Sequence, residues 1–280
     1  MAMSSLSLQT NIPSMTAQRS LKRTETEMNT AMARLSSGMR INIGADDAAG
    51  LAISEKLRAQ VRGLAQAQRN ANDGISFLQT AEGALSEVGN MLIRMRELSI
   101  QAANGTLGDA ERISINDEFV ALRAEIDRIA AATEFNGTSL LNGSVSAGVT
   151  FQVGIDNIAA NDRITVSLAD MKATAIGLTG AMTLSTVTGA QGAMAILDAA
   201  VQTVASQRGS IGVGQNRLEV TINNLAAMHE NLSAANSRIR DADIASESAN
   251  FSRNQILMQA GVSVLAQANS LPSMVLSLIG

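Results

Sequence analysis

The 280-residue chain contains no Cys, Trp or Tyr, and it has only five Phe, two Pro and one His. The lack of cysteine excludes disulfides, thiolate metal sites and a cysteine nucleophile. It does not fix the compartment, because a secreted protein need not have disulfides. With so few aromatic side chains, a core has to be built from Leu, Ile, Val, Met and Ala. Those residues favour close packing of helices over a thick β-sandwich.

Strong positive charge and long apolar runs are also missing. The formal net charge is −4, so no overall positive potential would attract nucleic acid or anionic lipid. No apolar run approaches the roughly 20 residues that cross a bilayer. Residues 1–18 lack the positive n-region and the apolar h-region of a Sec-type signal peptide. We therefore expect no nucleic-acid partner, no membrane partner and no cleaved signal peptide.

Apolar residues at seven-residue intervals predict two long helices. In the first, from Asp46 to about Ala103, the row is Leu57, Leu64, Ala71, Leu78, Leu85 and Leu92. In the second, from about Ala193 to Arg240, the row is Leu197, Val204, Ile211, Leu218, Leu225, Leu232 and Ile239. Asp46 and Asp47 are candidate N-caps of the first helix, and Asn104–Gly105 would end it in a left-handed turn. Helices of this length are stable only when their apolar stripe is packed, so we expect the two to pair antiparallel.

Three further helices are predicted from the same kind of spacing. The N-terminal one, from about Ser14 to Gly38, carries Leu21, Met28 and Leu35. The C-terminal one carries Phe251, Met258, Val262, Leu265 and Leu276, and Pro272 interrupts it near its end. One capped by Asp109 carries Ile115, Phe119, Leu122, Ile126 and Ile129. If the middle of the chain folds back, the terminal helices pair and present an apolar face with no third partner, which predicts self-association.

The middle of the chain is the only region with strand character. Residues 134–148 are rich in turn formers, and the runs Thr150–Gly154 and Arg163–Leu168 predict a hairpin. Residues 171–192 show no decisive pattern. The predicted fold class is mainly α: a long antiparallel coiled-coil-like bundle with a small β-hairpin region and paired N- and C-terminal helices.

No pattern in the chain indicates catalysis or metal binding. His229 would need a second histidine at position 233 for a zinc motif, and that position is Ser233. Gly209, Gly212 and Gly214 lie inside a helical pattern without the strand or Lys-Ser/Thr of a phosphate loop, so close helix approach or local softening is the better interpretation. Asp46–Asp47 fits capping better than acid–base or metal chemistry. We expect no catalytic, cofactor or metal site and no enzyme activity.

Two long motifs resemble the terminal regions of bacterial flagellins. The first is "LSSGMRINIGADDAAGLAISEKLRA" at 35–59, followed by "QRNANDGISFLQTAEGAL" at 68–85. The second is the segment 238–279, which opens with "RIRDADIASESANFSRNQILMQAG", and "FNGTSLLNG" at 135–143 is a further piece. The resemblance covers nearly all of the chain except about 145–192, which is too short for the outer domain that many flagellins carry.

The resemblance implies a subunit of the extracellular flagellar filament. Its inner core domain would comprise residues 1–44 and 236–280, and its middle domain residues 45–235, with the hairpin insert at about 145–192 and no outer variable domain. We expect subunit and core packing at Leu21, Met28, Leu35, Phe251, Met258, Val262 and Leu265. We expect the middle-bundle seam at Leu57, Leu64, Leu78, Leu85, Leu92, Leu218, Leu225 and Leu232.

The resemblance also implies partners. Besides itself, the chain would meet a flagellar export chaperone, the filament cap and hook–filament junction proteins, and it would be exported without a cleaved signal peptide. In flagellins recognised by Toll-like receptor 5, a motif like "RMREL" contacts the receptor, which implies contacts at Arg94, Leu98 and Glu118, although subunit packing uses the same face. The alternatives are a hook–filament junction protein, an enzyme on a flagellin scaffold and a cytoplasmic coiled-coil adaptor.

Overall fold

A computed structural model describes the backbone of residues 10–279 and the side chains of residues 10–270. The helices in this range are α1 (Ile12–Ser37), α2 (Ala48–Ala102), α3 (Asp109–Ala132), α4 (Ala159–Asp162), α5 (Val187–Arg240) and α6 (Ile244–Ile279). The strands are β1 (Glu134–Phe135), β2 (Thr138–Ser139), β3 (Val149–Gln152) and β4 (Arg163–Val166). The mainly α prediction is confirmed. The helix α6 continues through Pro272 rather than being interrupted there, and the predicted stripe residue Leu276 lies outside the described side chains.

The described residues form two units, which share the long helices α2 and α5. The terminal unit contains the residues up to Ala59 and those from Asn231 onwards, and the middle unit is Gln60–Glu230. The inner domain expected from the sequence is 1–44 and 236–280, of which residues 1–9 lie outside the residues that the structure describes.

Local hydrogen bonds explain where α1 and α2 begin. The side-chain oxygen of Asn11 accepts from the Ser14 backbone N–H at the start of α1, which ends at Gly38 with a left-handed φ of 71°. Asp47 caps α2 as predicted, because its carboxylate accepts from Gly50 N–H at 2.8 Å. Asp46 instead closes the preceding loop.

The Asp46 carboxylate accepts two backbone hydrogen bonds. The N–H groups of Ile43 and Asn42 donate to it at 3.1 and 3.0 Å, and they hold the pKa of Asp46 below its ordinary value. Because the pKa is lowered in the folded chain, the stabilisation is present above the ordinary carboxyl range and is lost as the pH falls through the lowered pKa.

The C-terminal end of α2 differs from the prediction. Gly105 has no left-handed φ, so the predicted αL stop is wrong. The buried guanidinium of Arg112 ends the helix instead, donating from Nε to the Ala102 carbonyl and from Nη2 to the Asn104 carbonyl, both at 3.1 Å. Asp109 is the first residue of α3 rather than its cap, and it pairs with Arg112 at 3.3 Å. A charged donor from a following helix therefore satisfies carbonyls that a left-handed turn would otherwise have served.

The middle unit has a continuous apolar core. The predicted seam residues within this unit are all buried, namely Leu64, Leu78, Leu85, Leu92, Leu218 and Leu225. Ion pairs Glu82–Arg208 and Arg96–Asp198 join α2 to α5 with residue numbers running in opposite directions, which confirms antiparallel packing. Leu57 and Leu232 belong to the terminal unit and are half-buried there.

Two hairpins pack on the helices, and only one of them was predicted. Strands β3 and β4 pair antiparallel as expected. Strands β1 and β2 form a second, very short hairpin around Asn136–Gly137, both with positive φ. Phe77 of α2 lies edge-on to Phe135 and Phe151, with ring centroids 5.7 Å apart in each case, so three of the five Phe anchor the two hairpins to α2.

The segment before α5, which lacked a decisive sequence pattern, contributes fully buried side chains to the core, including Met171, Leu178 and Leu184. Side chains of α3 accept hydrogen bonds from the backbone N–H groups of this segment. Asp127 accepts from Ala173 N–H, and Asn116 accepts from Leu184 N–H, each at 2.8 Å. A segment without regular structure can be buried here because α3 supplies the missing hydrogen-bond partners.

Three of the α5 glycines, Gly209, Gly212 and Gly214, have different environments. A Cβ at Gly214 would lie 3.0 Å from Val166 Cγ2 and 3.2 Å from Leu78 Cδ1, whereas one at Gly209 or Gly212 would meet nothing within 4 Å. Close approach of α5 to its neighbours therefore explains Gly214 alone, and all three lie inside an uninterrupted helix.

Replacing Arg112 with Ala should lower the free energy of unfolding by about 2 kcal/mol, because the buried Ala102 carbonyl and the partly buried Asn104 carbonyl lose a charged donor. Urea unfolding followed by far-UV circular dichroism measures the change. Arg128→Ala is the matched control, since Arg128 pairs only with the exposed Glu125 and should leave stability unchanged. Equal effects of the two substitutions would contradict the capping role.

Gly209→Ala and Gly214→Ala should change stability in opposite directions. Alanine at the open position 209 should raise the free energy of unfolding by about 0.5–1 kcal/mol through helix propensity. At position 214 the added methyl meets packed side chains and should lower it by about 1 kcal/mol. The same unfolding experiment decides, and stabilisation by both would show that Val166 and Leu78 can move aside.

Candidate assembly surface

The terminal unit is built on α1 and α6, which pack against each other in opposite directions. At one end, Asn11 Nδ2 donates to the Ala268 carbonyl at 2.8 Å and Ser14 Oγ donates to Asn269 Oδ1 at 2.7 Å. At the other end, Arg34 lies 3.8 Å from Glu247. The predicted pairing of the terminal helices is therefore present within one chain.

The two connectors of this unit pair with each other. Met39 and Asp241 form an isolated antiparallel bridge, flanked by the bond from Ala242 N–H to the Gly38 carbonyl at 2.9 Å. Arg240 reaches Glu55 of α2 at 2.6 Å. The motif around 35–59 thus joins the ends of α1, α2, α5 and α6 through backbone and ionic contacts.

The seam between α1 and α6 is poorly covered. Six of the predicted packing residues are only half-buried, namely Leu21, Met28, Leu35, Phe251, Met258 and Leu265. Val262 lies four residues after Met258 and three before Leu265, close to the same row, yet its side chain is 52% exposed. Among the described residues of α1 and α6, the only buried hydrophobic side chains are those of Ala31 and Ala268.

Large hydrophobic side chains of α1 and α6 also remain exposed to solvent. Eight of them in α1 and α6 are about half exposed or more: Ile12, Met15, Met32, Ile244, Ile256, Leu257, Val262 and Val264. Full burial of one such side chain contributes about 1.5–3 kcal/mol, so covering these eight would contribute on the order of 10 kcal/mol per subunit before the entropic costs of association. Leu257 and Val264 were missed from the sequence although they are also seven residues apart. They form a second row beside the inward-facing one.

The residues of the predicted receptor contact divide into surface and core. Arg94 Nε donates to Glu118 and Nη1 donates to Glu97, at 3.0 and 3.1 Å, and these bonds hold the pKa of Arg94 above its ordinary value. Both partners of the Arg94–Glu118 pair are about half exposed. Leu98 is 1% exposed and packs in the core of the middle unit, so a molecule at this surface would meet Arg94 and Glu118 but not the Leu98 side chain.

No cluster of three or more His, Asp or Glu residues suited to a metal is found between residues 10 and 270. His229 is half-buried within α5. In that same part of the chain, no helix combines the length and apolarity that a membrane span requires.

Comparisons with known proteins agree with this architecture. Residues 8–146 match the family model of the bacterial flagellin N-terminal helical region, and residues 194–279 match that of the C-terminal helical region. A flagellin of Halalkalibacterium halodurans is 47% identical over 96% of this chain and 98% of its own length. The flagellar filament core protein of Brachyspira hyodysenteriae is 43% identical with the same coverage.

Solved structures give the same result. The crystal structure of Bacillus cereus flagellin is 33% identical, covers 60% of this chain and 94% of its own, and superposes with a TM-score of 0.50. A protein described as flagellar hook-associated, from Vibrio parahaemolyticus, shares the fold at a TM-score of 0.60 over 70% of this chain and all of its own, with 16% identity. On the family models and the identity to flagellins over nearly the whole length, this chain belongs to the bacterial flagellin family.

Proposed function

We propose that this chain is a structural subunit that polymerises into the extracellular flagellar filament and thereby supports swimming motility. The observation that carries the proposal is the terminal helix pair, whose eight exposed large hydrophobics exceed its two buried alanines. An exposed apolar surface of this kind is unfavourable in water, and its burial between copies would stabilise a polymer. The filament core protein of Brachyspira hyodysenteriae is a relative over nearly the whole chain.

In this proposal, residues 1–44 and 236–280 form the inner core of the filament, and residues 45–235 form the surrounding tube, with the hairpin insert at 145–192 on the middle domain. The middle unit has its own buried core and can fold before assembly. The terminal helices complete their packing only beside a neighbouring subunit, so their final burial is coupled to polymerisation.

The same exposed surface calls for partners before and during assembly. Until they reach the filament, the exposed faces of α1 and α6 could associate prematurely, and we propose that a flagellar export chaperone covers an apolar helix until then. The filament cap and the hook–filament junction proteins would meet the two ends of the polymer.

Electron microscopy of the purified chain, after seeding or addition of a precipitating salt, tests the proposed function. Long uniform filaments are expected. Short rings that never elongate would instead support a hook–filament junction protein, and a monomer under all conditions would contradict polymerisation altogether.

The substitutions Leu257→Asp and Val264→Asp should each abolish filaments, because a carboxylate in a buried intersubunit contact is strongly unfavourable. Both side chains are exposed within the chain, so the circular dichroism spectrum and the unfolding midpoint should not change. Gln259→Asp, at an exposed polar position of the same helix, is the matched control and should still polymerise. Normal filaments from both apolar-to-Asp variants would contradict burial of this surface.

We also propose that the Arg94–Glu118 surface is recognised by Toll-like receptor 5. Arg94→Ala should raise the concentration of monomer needed for half-maximal receptor signalling about tenfold, since an arginine at the centre of an interface is a common hot spot. Arg128→Ala, which removes another exposed paired arginine, should have no effect. Leu98 is unsuitable for this test because it is buried, and a change there would disturb the core. Equal signalling by both arginine variants would argue against the proposed contact.

A further inference from the structure

One exposed face of α3 carries an apolar–acidic–apolar triplet that the fold leaves uncovered. Ile113, Asp117 and Val120 are four and three residues apart, so they share a face of the helix over about 10 Å. Ile113 is 53% and Val120 is 38% exposed. Asp117 is exposed and has no ion pair or hydrogen-bond partner for its carboxylate among the described residues. These three residues are called the α3 triplet below.

A groove on the same unit carries the complementary pattern. It has a volume of about 460 Å³ and lies between α5 and the β3–β4 hairpin with α4. Its α5 wall presents Val213, Arg217 and Val220, and both valines are at least 60% exposed. No ion pair or hydrogen bond engages the Arg217 guanidinium within the described chain.

The hairpin wall of the groove adds a second arginine, and the groove would suit a partner that carries a negative charge between apolar side chains. The hairpin side contributes Ile164 and Arg163, and Arg163 donates to Asn157 and Gln152 rather than to a carboxylate. None of the described residues that line the groove is acidic. Two arginines over an apolar floor therefore leave a positive, partly apolar surface.

The α3 triplet and the three α5 residues of the groove wall have the same spacing and carry opposite charges. Each has an aliphatic residue, a charged residue four positions later and an aliphatic residue three positions after that, and the charges are Asp117 in one and Arg217 in the other. We propose that the α3 triplet of one copy docks into the α5–hairpin groove of the next copy, with Asp117 paired to Arg217. The inference rests on the proposed polymerisation and names a surface through which the middle domains would meet.

A second copy of the chain is the occupant that fits both surfaces at once. The α3 triplet and the α5 wall of the groove are both exposed in the same chain, so neither covers the other within one molecule. Because the two surfaces differ, the contact is heterologous and leaves a free triplet and a free groove at opposite ends of every assembly. Such contacts propagate head to tail and do not close on a dimer.

Charge reversal tests the pairing. Asp117→Arg and Arg217→Asp should each raise the critical concentration for polymerisation about tenfold, because each places like charges together at the contact. The double variant restores opposite charges and should return close to the wild-type value. Glu219→Arg, an exposed reversal on α5 outside the groove, is the matched control and should have little effect. Each variant should keep the helical circular dichroism signal and unfolding midpoint of the wild type.

Cross-linking provides a second measurement, and the cysteine-free chain makes it specific. Filaments grown from a mixture of Asp117→Cys and Arg217→Cys subunits should give intermolecular cross-links with a short bismaleimide, whereas mixtures of Asp117→Cys with Glu219→Cys should not.

Filaments that grow normally from both charge-reversed variants, or a double variant no better than either single one, would overturn this pairing while leaving the proposed polymerisation intact. A wild-type chain that forms no filaments would overturn the proposed function and this contact with it.

Discussion

Two helices packed side by side can bury only one face of each, and this limit governs the terminal unit. Helix α6 carries hydrophobic side chains around much of its circumference, while α1 covers a single strip of it. The consequence is a pair whose seam is half-buried and whose outer rows, including Leu257 and Val264, remain in solvent. Self-association thus follows from the geometry of a helix pair rather than from any special motif.

In the middle unit, further elements pack on the two long helices, so more than one face of each helix is buried. Helix α3, two hairpins and the segment before α5 enclose α2 and α5, so the seam from Leu64 to Leu225 is dry. Three specific devices maintain this enclosure: the Arg112 guanidinium at the end of α2, the Phe77 cluster under the hairpins and the missing side chain of Gly214. One chain therefore combines a self-sufficient unit with one that is incomplete alone.

Periodic features could be predicted from the sequence, and features held by single side chains could not. Seven-residue rows predicted all five long helices, because each row reports a repeated relation to a core, and two strand-like runs within 150–168 predicted the larger hairpin. The left-handed stop predicted for α2 is wrong, because Arg112, eight residues beyond Asn104, supplies hydrogen bonds to the last carbonyls instead. The burial of the segment with Leu178 and Leu184 depends on hydrogen bonds that its backbone donates to α3 side chains, and these leave no local signal in the sequence. Outward rows such as Leu257 and Val264 were overlooked because the inward row explained the same period.

The pairing of α1 with α6 also constrains the order in which the chain can fold. Asn11 bonds to Ala268, which follows it by 257 residues, so the first described helix finds its partner in the last. Contacts of such sequence separation form slowly, because a very long loop must be closed before they are made. A chain that emerges from its N-terminal end would hold α1 without a partner until nearly every residue has followed. The terminal unit can therefore form only after nearly the whole chain has emerged, and a chain truncated before α6 could not form it.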